Sequence, residues 1–313
     1  MQSLLLLLSF GLHIFRTATA ASWCYEHQKA NSPSCIEPKE WSNVNIQCGG
    51  TQQSPIDIDT RNVEFNDQLI PFQFQGYENP NSWTLTNDGH SAKLTPKGII
   101  QISGGNLKGC YNVLQLHLHW GNETLNGSEH TINGVRNPME LHIVHMNTKY
   151  ANQEEALKKP DGLAVLGFLY KKTDQDNQNY KPFIEALTSI PNKGEKIALD
   201  FLSLKNIIPD PSYLSRYYRY NGSLTTPNCS EAVIWTLFEK TIPLSNEQLR
   251  AFFKTLYFPS DNDSKKFMSL NYRPTQNLGK RKIYTSEAEA VLLQGRVLLP
   301  VALTIFFMTF VCY

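Results

Sequence analysis

The sequence lacks an excess of charge of either sign, since 29 Lys and Arg residues stand against 28 Asp and Glu residues. The resulting net charge of +1 excludes the basic surface on which non-specific nucleic-acid binding depends. Repeats of fixed period and low-complexity runs are absent, and no Gly/Ser-rich or Pro-rich linker divides residues 40–280. Apolar residues make up 41% of the chain, which excludes a disordered protein. We therefore expect one large folded domain.

Long hydrophobic runs occur only at the two ends. Residues 1–20 contain five consecutive leucines from Leu4 to Leu8 and finish with Ala18-Thr19-Ala20, the small-x-small pattern of a signal-peptidase site. The run is too short for a comfortable membrane span. We predict a cleaved secretory signal peptide over 1–20, with a buried N-terminal helix as the alternative.

The C-terminal run, residues 297–313, is uncharged and no Lys or Arg follows it. A single-span anchor normally carries such residues on its cytoplasmic side. Upstream, Ser286 is followed by Ala288 at the second position after it, and 289–296 form a spacer. This order is typical of a glycosylphosphatidylinositol signal. We predict attachment at Ser286, removal of 287–313 and a mature domain over 21–286, with a retained membrane span as the alternative.

Secretion predicts disulfides and N-linked glycans. Once Cys312 is removed with the tail, five cysteines remain, and spacing alone allows fifteen arrangements of two bridges and one free thiol. Asn-x-Ser/Thr sequons occur at Asn122, Asn126, Asn221, Asn228 and Asn262. We predict glycans on Asn122, Asn126 and Asn262. The other two sequons flank a segment to which catalytic residues are assigned below, so we do not expect them to be modified.

Short apolar segments separated by turn signals dominate the middle of the chain. They predict strands at 82–85, 98–103, 112–120, 139–145, 163–170 and 231–238. Helical patterns are few and short, at 152–159, 180–189 and 246–256, the last with Ser245 as N-cap. The pattern indicates a mainly β (α+β) single domain around a large, mostly antiparallel sheet with short peripheral helices.

Five histidines lie between residues 117 and 145. Strand alternation predicts one apolar face of Leu114, Leu116, Leu118 and Trp120, and a second face of Val113, Gln115, His117 and His119. Two imidazoles on one strand face lie about 6.5–7 Å apart, near enough to bind one metal ion. A helix would turn them away from each other by roughly 200°. A cupin-like alternative would add Glu123 to the pair, but the glycines of that motif are missing.

A third histidine, His142, shares a predicted strand face with Glu140. If His142 faces the first pair, three neutral imidazoles surround one point and a fourth position stays open, as in catalytic zinc sites. Glu140 and Gln115 can each accept the outer ring N–H of the histidine two residues later. His130 and His145 are interpreted as hydrogen-bonded core residues.

Over nearly all of residues 23–284 the chain resembles the α-class carbonic anhydrases. The motifs that carry the resemblance are Gln53-Ser54-Pro55-Ile56-Asp57-Ile58, Asn87-Asp88-Gly89-His90, Gln115-Leu116-His117-Leu118-His119-Trp120-Gly121, Gly127-Ser128-Glu129-His130-Thr131, Glu140-Leu141-His142-Ile143-Val144-His145, Gly162-Leu163-Ala164-Val165-Leu166-Gly167, Gly222-Ser223-Leu224-Thr225-Thr226-Pro227 and Asn271-Tyr272-Arg273-Pro274. Within the family the chain is most similar to the glycosylphosphatidylinositol-anchored membrane form, through Trp23-Cys24-Tyr25, Cys229 and the anchor signal.

The resemblance implies a twisted sheet of about ten strands and a conical cavity that ends at Zn²⁺ on His117, His119 and His142. It pairs Cys24 with Cys35 and Cys48 with Cys229, and it leaves Cys110 free. The implied reaction is the reversible hydration of carbon dioxide to bicarbonate and a proton at the outer cell surface. The implied partners are carbon dioxide and bicarbonate, the membrane through the anchor, and bicarbonate transporters, with the enzyme itself a monomer.

The same resemblance assigns the remaining roles. Thr225 orients the nucleophile and donates a hydrogen bond to Glu129, which as a carboxylate can only accept. His90 corresponds to the proton shuttle, whose pKa the nearby Lys93 can lower. The substrate contacts correspond to Val144, Val165, Leu224, Thr225, Thr226 and Trp235. The alternative function is a catalytically silent binding or adhesion domain. Such relatives lose zinc histidines, whereas this chain has all three.

Overall fold

The structure, a computed structural model, describes residues 22–31, 34–260 and 265–287. The predicted signal peptide over 1–20, the predicted propeptide beyond Glu287 and the Asn262 sequon lie outside the described residues. Within the described ranges, no helix has both the length and the apolar character needed to cross a membrane.

Strands make up most of the regular structure. They are β1 (Asp57–Ile58), β2 (Glu64–Phe65), β3 (Phe72–Gln75), β4 (Asn81–Asn87), β5 (Ala92–Pro96), β6 (Gln101–Gly104), β7 (Tyr111–Trp120), β8 (Thr131–Ile132), β9 (Val135–Arg136), β10 (Met139–Asn147), β11 (Leu163–Thr173), β12 (Lys196–Leu202), β13 (Tyr217–Gly222), β14 (Val233–Ser245) and β15 (Tyr284–Thr285). The α-helices are α1 (Gln153–Ala156), α2 (Lys181–Leu187), α3 (Leu204–Ile207) and α4 (Asn246–Thr255). Short 3₁₀ turns cover Glu26–Asn31, Pro38–Asn43, Ile46–Gly49, Gln178–Tyr180 and Pro211–Tyr213.

Twelve strands form one large sheet, whose main path runs β12-β4-β5-β7-β10-β11-β14-β13-β15-β2, with β3 and β6 paired beside it. Along this path only β11 with β14 and β15 with β2 run parallel. The remaining three strands form a small sheet in the order β1-β8-β9. The predicted mainly β domain with a large, mostly antiparallel sheet is therefore confirmed.

Every strand segment that the sequence predicts overlaps a strand of the structure. The boundaries differ by up to three residues for most of these strands, and the largest difference is in β14, which continues to Ser245, well past the predicted end at 238. The helix predicted at 152–159 shortens to the single turn of α1. At the start of α4, Ser245 accepts from Gln248 N–H and the Gln248 side chain bonds back, forming a capping box. The predicted N-cap is thus confirmed.

The central sheet is buried on both faces. Along β11, Leu163, Val165 and Leu169 belong to the smaller core cluster, while the alternate residues belong to the larger cluster on the other face. Burial on both faces explains why β11 is a continuous apolar run rather than an alternating one. The functional residues described below lie on the face of the smaller cluster.

The predicted face assignment of β7 is wrong at its beginning. Leu116, Leu118 and Trp120 are fully buried in the larger cluster, as predicted, but Leu114 packs on the opposite face and Val113 takes its place in the core. The β10 register skips from Gln115 to Val113 at this point, so Leu114 is an extra residue in a β-bulge. A one-residue bulge reverses which face every preceding side chain occupies.

Two disulfides join parts of the chain that contribute to the site. They are Cys24–Cys35, with Cα atoms 5.7 Å apart, and Cys48–Cys229, with Cα atoms 4.9 Å apart. Cys110 is free and exposed. Because Cys229 follows the 222–227 segment, the second bridge ties that segment to the N-terminal part of the domain.

Candidate metal centre

Three histidines from two neighbouring strands converge on one point. β7 carries His117 and His119, and the β7–β10 register sets His142 directly opposite His117. One ring nitrogen from each residue lies within 4.8 Å of the other two. The sequence predicted this meeting from strand alternation, which the bulge does not disturb because it lies before Gln115.

The other nitrogen of each ring is held by an acceptor. His117 Nδ1 lies 2.9 Å from Gln115 Oε1, His119 Nδ1 lies 2.7 Å from the Asn271 carbonyl, and His142 Nε2 lies 2.7 Å from Glu140 Oε1. Because these oxygens accept, each of those nitrogens carries the proton. The lone pairs of His117 Nε2, His119 Nε2 and His142 Nδ1 therefore face the common point. Gln115 and Glu140 were predicted from sequence. The Asn271 carbonyl could not be predicted in this way, because every residue has a backbone carbonyl.

The rings of His117 and His119 are uncharged at neutral pH. Burial, reinforced by the other two imidazoles, lowers the pKa of His117 well below its usual value, and burial lowers the pKa of His119 as well. His119 Nε2 is buried and has no hydrogen-bond partner among the described residues. A buried polar atom without a partner is rare in folded proteins. Neutral nitrogen donors left free in this way fit a Zn²⁺ ion with three protein ligands and one open position.

Glu140 anchors a second buried network behind the histidines. Its Oε1 lies 2.6 Å from His130 Nδ1, and its Oε2 accepts from the backbone N–H groups of Glu129 and His130. His130 Nε2 lies 2.6 Å from the Tyr220 hydroxyl, which donates to Ser54 Oγ. Burial alone raises the pKa of Glu140, but His130 and His142 hold it well below its usual value. Since both His130 nitrogens have partners, this cluster is a hydrogen-bond network that orients His142.

His145 and Glu123, two further residues with side chains able to bind a metal ion, do not contribute to the metal centre. His145 is fully buried on the opposite face of β10, 2.8 Å from the Tyr77 hydroxyl and 3.1 Å from the Ala164 carbonyl, as a core histidine should be. Glu123 lies on the surface, paired with Arg250 and Lys254. The cupin-like alternative that would use Glu123 is therefore wrong.

Glu129 and Thr225 are both buried beside the histidines. Glu129 Oε1 accepts from the Arg273 backbone N–H at 2.7 Å, while Oε2 has no hydrogen-bond partner among the described residues. The hydrogen bond predicted from Thr225 to Glu129 is thus not formed. Oε2 instead points towards the metal site, 3.4 Å from His119 Nε2. Glu129 Oε2 is therefore an acceptor without a partner among the described residues, whereas the sequence predicted that Thr225 donates to this carboxylate.

A cavity of 440 Å³ opens from the histidines to the surface. Its apolar wall contains the predicted substrate-contact residues Val144, Val165, Leu224 and Trp235, with Thr225 and Thr226 beside them. Asp88, His90 and Lys93 also line the cavity. All the predicted substrate and shuttle residues therefore line one cavity, which contains both apolar and polar groups.

His90 lies towards the mouth of this cavity, stacked on Trp23 with ring centroids 3.7 Å apart. Asp88 Oδ1 accepts from His90 N–H, and Asp88 Oδ2 lies 3.3 Å from Lys93 Nζ. Burial lowers the pKa of His90 to about 4, with Asp88 acting to raise it and Lys193 and Lys93 to lower it. Lys93 therefore acts in the predicted direction, but burial of the ring is the larger cause.

Comparison with known proteins gives matches over most of the chain. A family model described as eukaryotic-type carbonic anhydrase matches residues 36–287. "Carbonic anhydrase 4" of Mus musculus is 40% identical over 294 residues, covering 94% of this chain and 93% of the relative. "Carbonic anhydrase 15" of Mus musculus is 39% identical, covering 87% of this chain and 86% of the relative. "Carbonic anhydrase 12" of Homo sapiens is 38% identical, covering 79% of this chain and 70% of the relative.

Proposed function

The chain belongs to the eukaryotic-type carbonic anhydrases, and from this premise we propose that it is a zinc enzyme acting at the outer face of a cell membrane. Its activity is that of a carbonic anhydrase, the reversible hydration of carbon dioxide. The observation that carries the zinc assignment is the convergence of one ring nitrogen each from His117, His119 and His142 on a common point. A silent binding domain would not need this convergence.

The three imidazoles hold the metal as neutral ligands. When bound, Zn²⁺ supplies the Lewis acidity that makes water nucleophilic near neutral pH, an effect for which carbonic anhydrases are themselves the standard example. All three ligands are neutral, so they leave the full positive charge of the ion available to polarise the water. Gln115, Glu140 and the Asn271 carbonyl fix the ring orientations.

Glu129 and Thr225 orient the attacking water. Arg273 N–H occupies Glu129 Oε1, so Oε2 is the oxygen that can accept a further hydrogen bond. We propose that the Thr225 hydroxyl donates to Oε2 during the reaction. Its own lone pairs then accept from the water, and that arrangement directs a lone pair of the water towards the substrate carbon.

Carbon dioxide has no hydrogen-bond donor and suits an apolar wall. Val144 and Val165 are nearly fully buried, and Trp235 uses its indole N–H on the Ser223 carbonyl, so its ring presents carbon to the cavity. The polar Thr226 beside this wall suits the bicarbonate product. The wall therefore binds substrate without stabilising competing water.

His90 is proposed to carry the proton between the cavity and solvent. Stacked on Trp23, the ring is neutral at physiological pH because its pKa is about 4. Away from Trp23 the ring would regain water and a pKa close to the unperturbed value of about 6.5. Proton transfer would then be fastest from the unstacked position.

Removing the stacking partner should raise the pKa of His90. Burial disfavours the protonated ring, so Trp23→Ala lowers that penalty and moves the pKa upward from about 4. The pKa can be read from the His90 ring proton shift by NMR over pH 3–9, with Tyr213→Ala as the control, since Tyr213 is an exposed aromatic residue outside this cavity. A pKa that stays low in Trp23→Ala would mean that Trp23 is not the cause.

Glu140→Gln should weaken zinc binding by about ten- to a hundredfold. The substitution removes the charge that His142 and His130 both contact and introduces N–H donors facing existing donors. Zinc affinity measured by competition with a chelator checks this. Glu154→Gln, an exposed carboxylate on α1, is the matched control and should bind zinc as the parent does. Unchanged affinity in Glu140→Gln would show that the network does not support the metal site.

The predicted location at the outer membrane face is supported by the two disulfides and the C-terminal sequence. We propose Ser286 as the anchor site. Its hydroxyl donates to the Ser215 carbonyl and accepts from Tyr217 N–H, so the domain is ordered up to this residue. Release of activity from intact cells by a phosphatidylinositol-specific phospholipase C is expected. Retention would indicate a membrane span instead.

Glycosylation is proposed for Asn122, Asn126 and Asn262. Asn122 lies in a turn in which its Oδ1 accepts from Thr124 and Leu125 N–H, and Asn126 is exposed with its Nδ2 bonded to the Arg136 carbonyl. Asn221 and Asn228 are also exposed. Exposure alone therefore does not distinguish the sequons that we expect to be glycosylated from the two that we do not. Mass spectrometry of the secreted protein would identify the modified asparagines.

The central test is stopped-flow carbon dioxide hydration by the zinc-loaded protein, with the pH change followed by an indicator dye. Fast turnover that disappears on zinc removal and returns on zinc addition is expected. Absence of turnover from folded, zinc-loaded protein would favour the silent binding domain.

A further inference from the structure

A second cavity, here called the basic groove, lies apart from the metal centre. Its volume is 350 Å³, and its lining includes three cationic residues, Arg219, Arg281 and Lys282. Four amides also line it: Gln52, Asn66, Asn106 and Asn221. Of the described residues in the lining, none is Asp or Glu. The groove is therefore positively charged although the chain is nearly neutral.

Arg219 is the unusual member, because it is only 7% exposed and lacks a counter-ion. On β13 it alternates with Tyr218 and Tyr220, whose rings pack on the face of the metal centre. Its Nε and Nη2 donate to Thr236 Oγ1 at 3.2 and 2.9 Å, and Nη1 donates to the Gly105 carbonyl at 2.8 Å. None of the ion pairs in the described ranges includes Arg219.

A guanidinium has five N–H donors, and these contacts use three. Burial lowers the pKa of Arg219 to about 10, so it remains charged at neutral pH. A buried charge without an opposite charge is costly. The rings of Tyr217 and Phe72, 5.6 and 5.8 Å from the guanidinium carbon, offset part of that cost, and an anion that reaches the two free N–H groups would offset more.

The other two cations leave the groove with excess positive charge. Arg281 donates to the carbonyls of Leu278, Asn221, Gln53 and Asn277 and to no carboxylate. Lys282 is paired with Glu64 at 3.0 Å, at the exposed rim. Glu231, the other nearby acid, accepts from Gln52 N–H and the Gln53 amide. The three cations of the groove thus form one ion pair among the described residues, between Lys282 and Glu64, so the groove keeps an excess of positive charge.

We propose that the basic groove binds a small tetrahedral oxyanion of the phosphate or sulfate class, held by Arg219 and Lys282. The forked N–H groups of a guanidinium match the oxygens of such anions, and the excess charge favours a divalent one. The amides Asn106 and Asn221 can donate to the remaining oxygens. The proposal does not depend on zinc or on catalysis.

The test is titration of ¹⁵N-labelled, zinc-loaded protein with inorganic phosphate at constant ionic strength, followed by amide chemical shifts. Saturating shifts confined to the groove are expected, and sulfate should compete. Shifts centred on His90 and Thr225, or shifts that do not saturate, would overturn the proposal. Vesicles containing phosphatidylserine form a second arm. Binding to vesicles without binding of free phosphate would also overturn it.

Three variants separate the groove from general charge effects. Arg219→Gln should weaken phosphate binding by about tenfold and Lys282→Gln by about threefold, since each removes a charge next to the anion. Lys280→Gln removes the same charge from an exposed neighbour outside the lining and should bind as the parent does. If Arg219→Gln does not fold, Lys282→Gln and Asn106→Gly test the groove instead, since glycine tolerates the φ of 56° at position 106. Equal affinity in Lys282→Gln and Lys280→Gln would then exclude the site.

Discussion

His117→Ala is expected to abolish zinc retention and to lower the rate of carbon dioxide hydration by on the order of a thousandfold or more. The variant removes one of three nitrogens that face a common point, and two ligands hold Zn²⁺ far more weakly than three. Bound zinc after dialysis and stopped-flow kinetics measure the two losses independently. The fold should persist, because Leu116 and Leu118 on the opposite face of β7 are untouched.

His27→Ala is the matched control for this experiment. His27 is an exposed imidazole in the Glu26–Asn31 turn and lies outside the metal centre. Its replacement should leave zinc content and rate unchanged. A zinc-free His117→Ala protein with the parent's rate would refute the metal mechanism, whatever the control does.

Cys48→Ala combined with Cys229→Ala is expected to lower the free energy of unfolding by about 5 kcal/mol. The bridge closes a loop between residues 181 positions apart, and a longer loop restricts the unfolded chain more. The shorter Cys24–Cys35 bridge spans 11 positions, so by the same dependence on loop length its removal should lower the free energy of unfolding by about 3 kcal/mol. Urea unfolding of the zinc-loaded proteins measures both values.

Cys110→Ala separates the effect of the bridge from the effect of losing a thiol. Cys110 is exposed and unbridged, so its replacement should change the free energy of unfolding by less than about 0.5 kcal/mol. If the Cys48/Cys229 double variant were as stable as Cys110→Ala, the long bridge would have no stabilising role. A loss no larger than that of the Cys24/Cys35 variant would mean that loop length does not control the stabilisation.

The part of the metal centre that could be predicted from sequence is the part that follows from strand alternation. His117 and His119 are two residues apart on β7, and Glu140 and His142 are two residues apart on β10, so each pair shares a face in any regular strand. Local sequence patterns likewise predicted the Ser245 cap and the large, mostly antiparallel sheet. These features depend on neighbours within a few residues, which a single sequence contains.

Features made by distant segments could not be predicted in this way. Leu114 occupies the unexpected face because a bulge forms against β10, and bulges depend on the pairing of two strands. The Asn271 carbonyl orients His119 through a backbone atom that every residue possesses. Trp23 stacks on His90 across 67 positions of chain, and the burial that lowers the pKa of His90 exists only in the folded protein.

By itself the sequence determined the family, the strand-rich single domain and the three histidines with two of their hydrogen-bond acceptors. It did so because motif identity and period-two alternation are properties of the chain. Only the tertiary structure decided that His90 is stacked and neutral. It also decided that, within the part of the chain that the structure describes, Glu129 keeps one oxygen without a partner and Arg219 is buried without a counter-ion. Burial and charge pairing depend on which distant groups meet, and these determine protonation and binding in the folded protein.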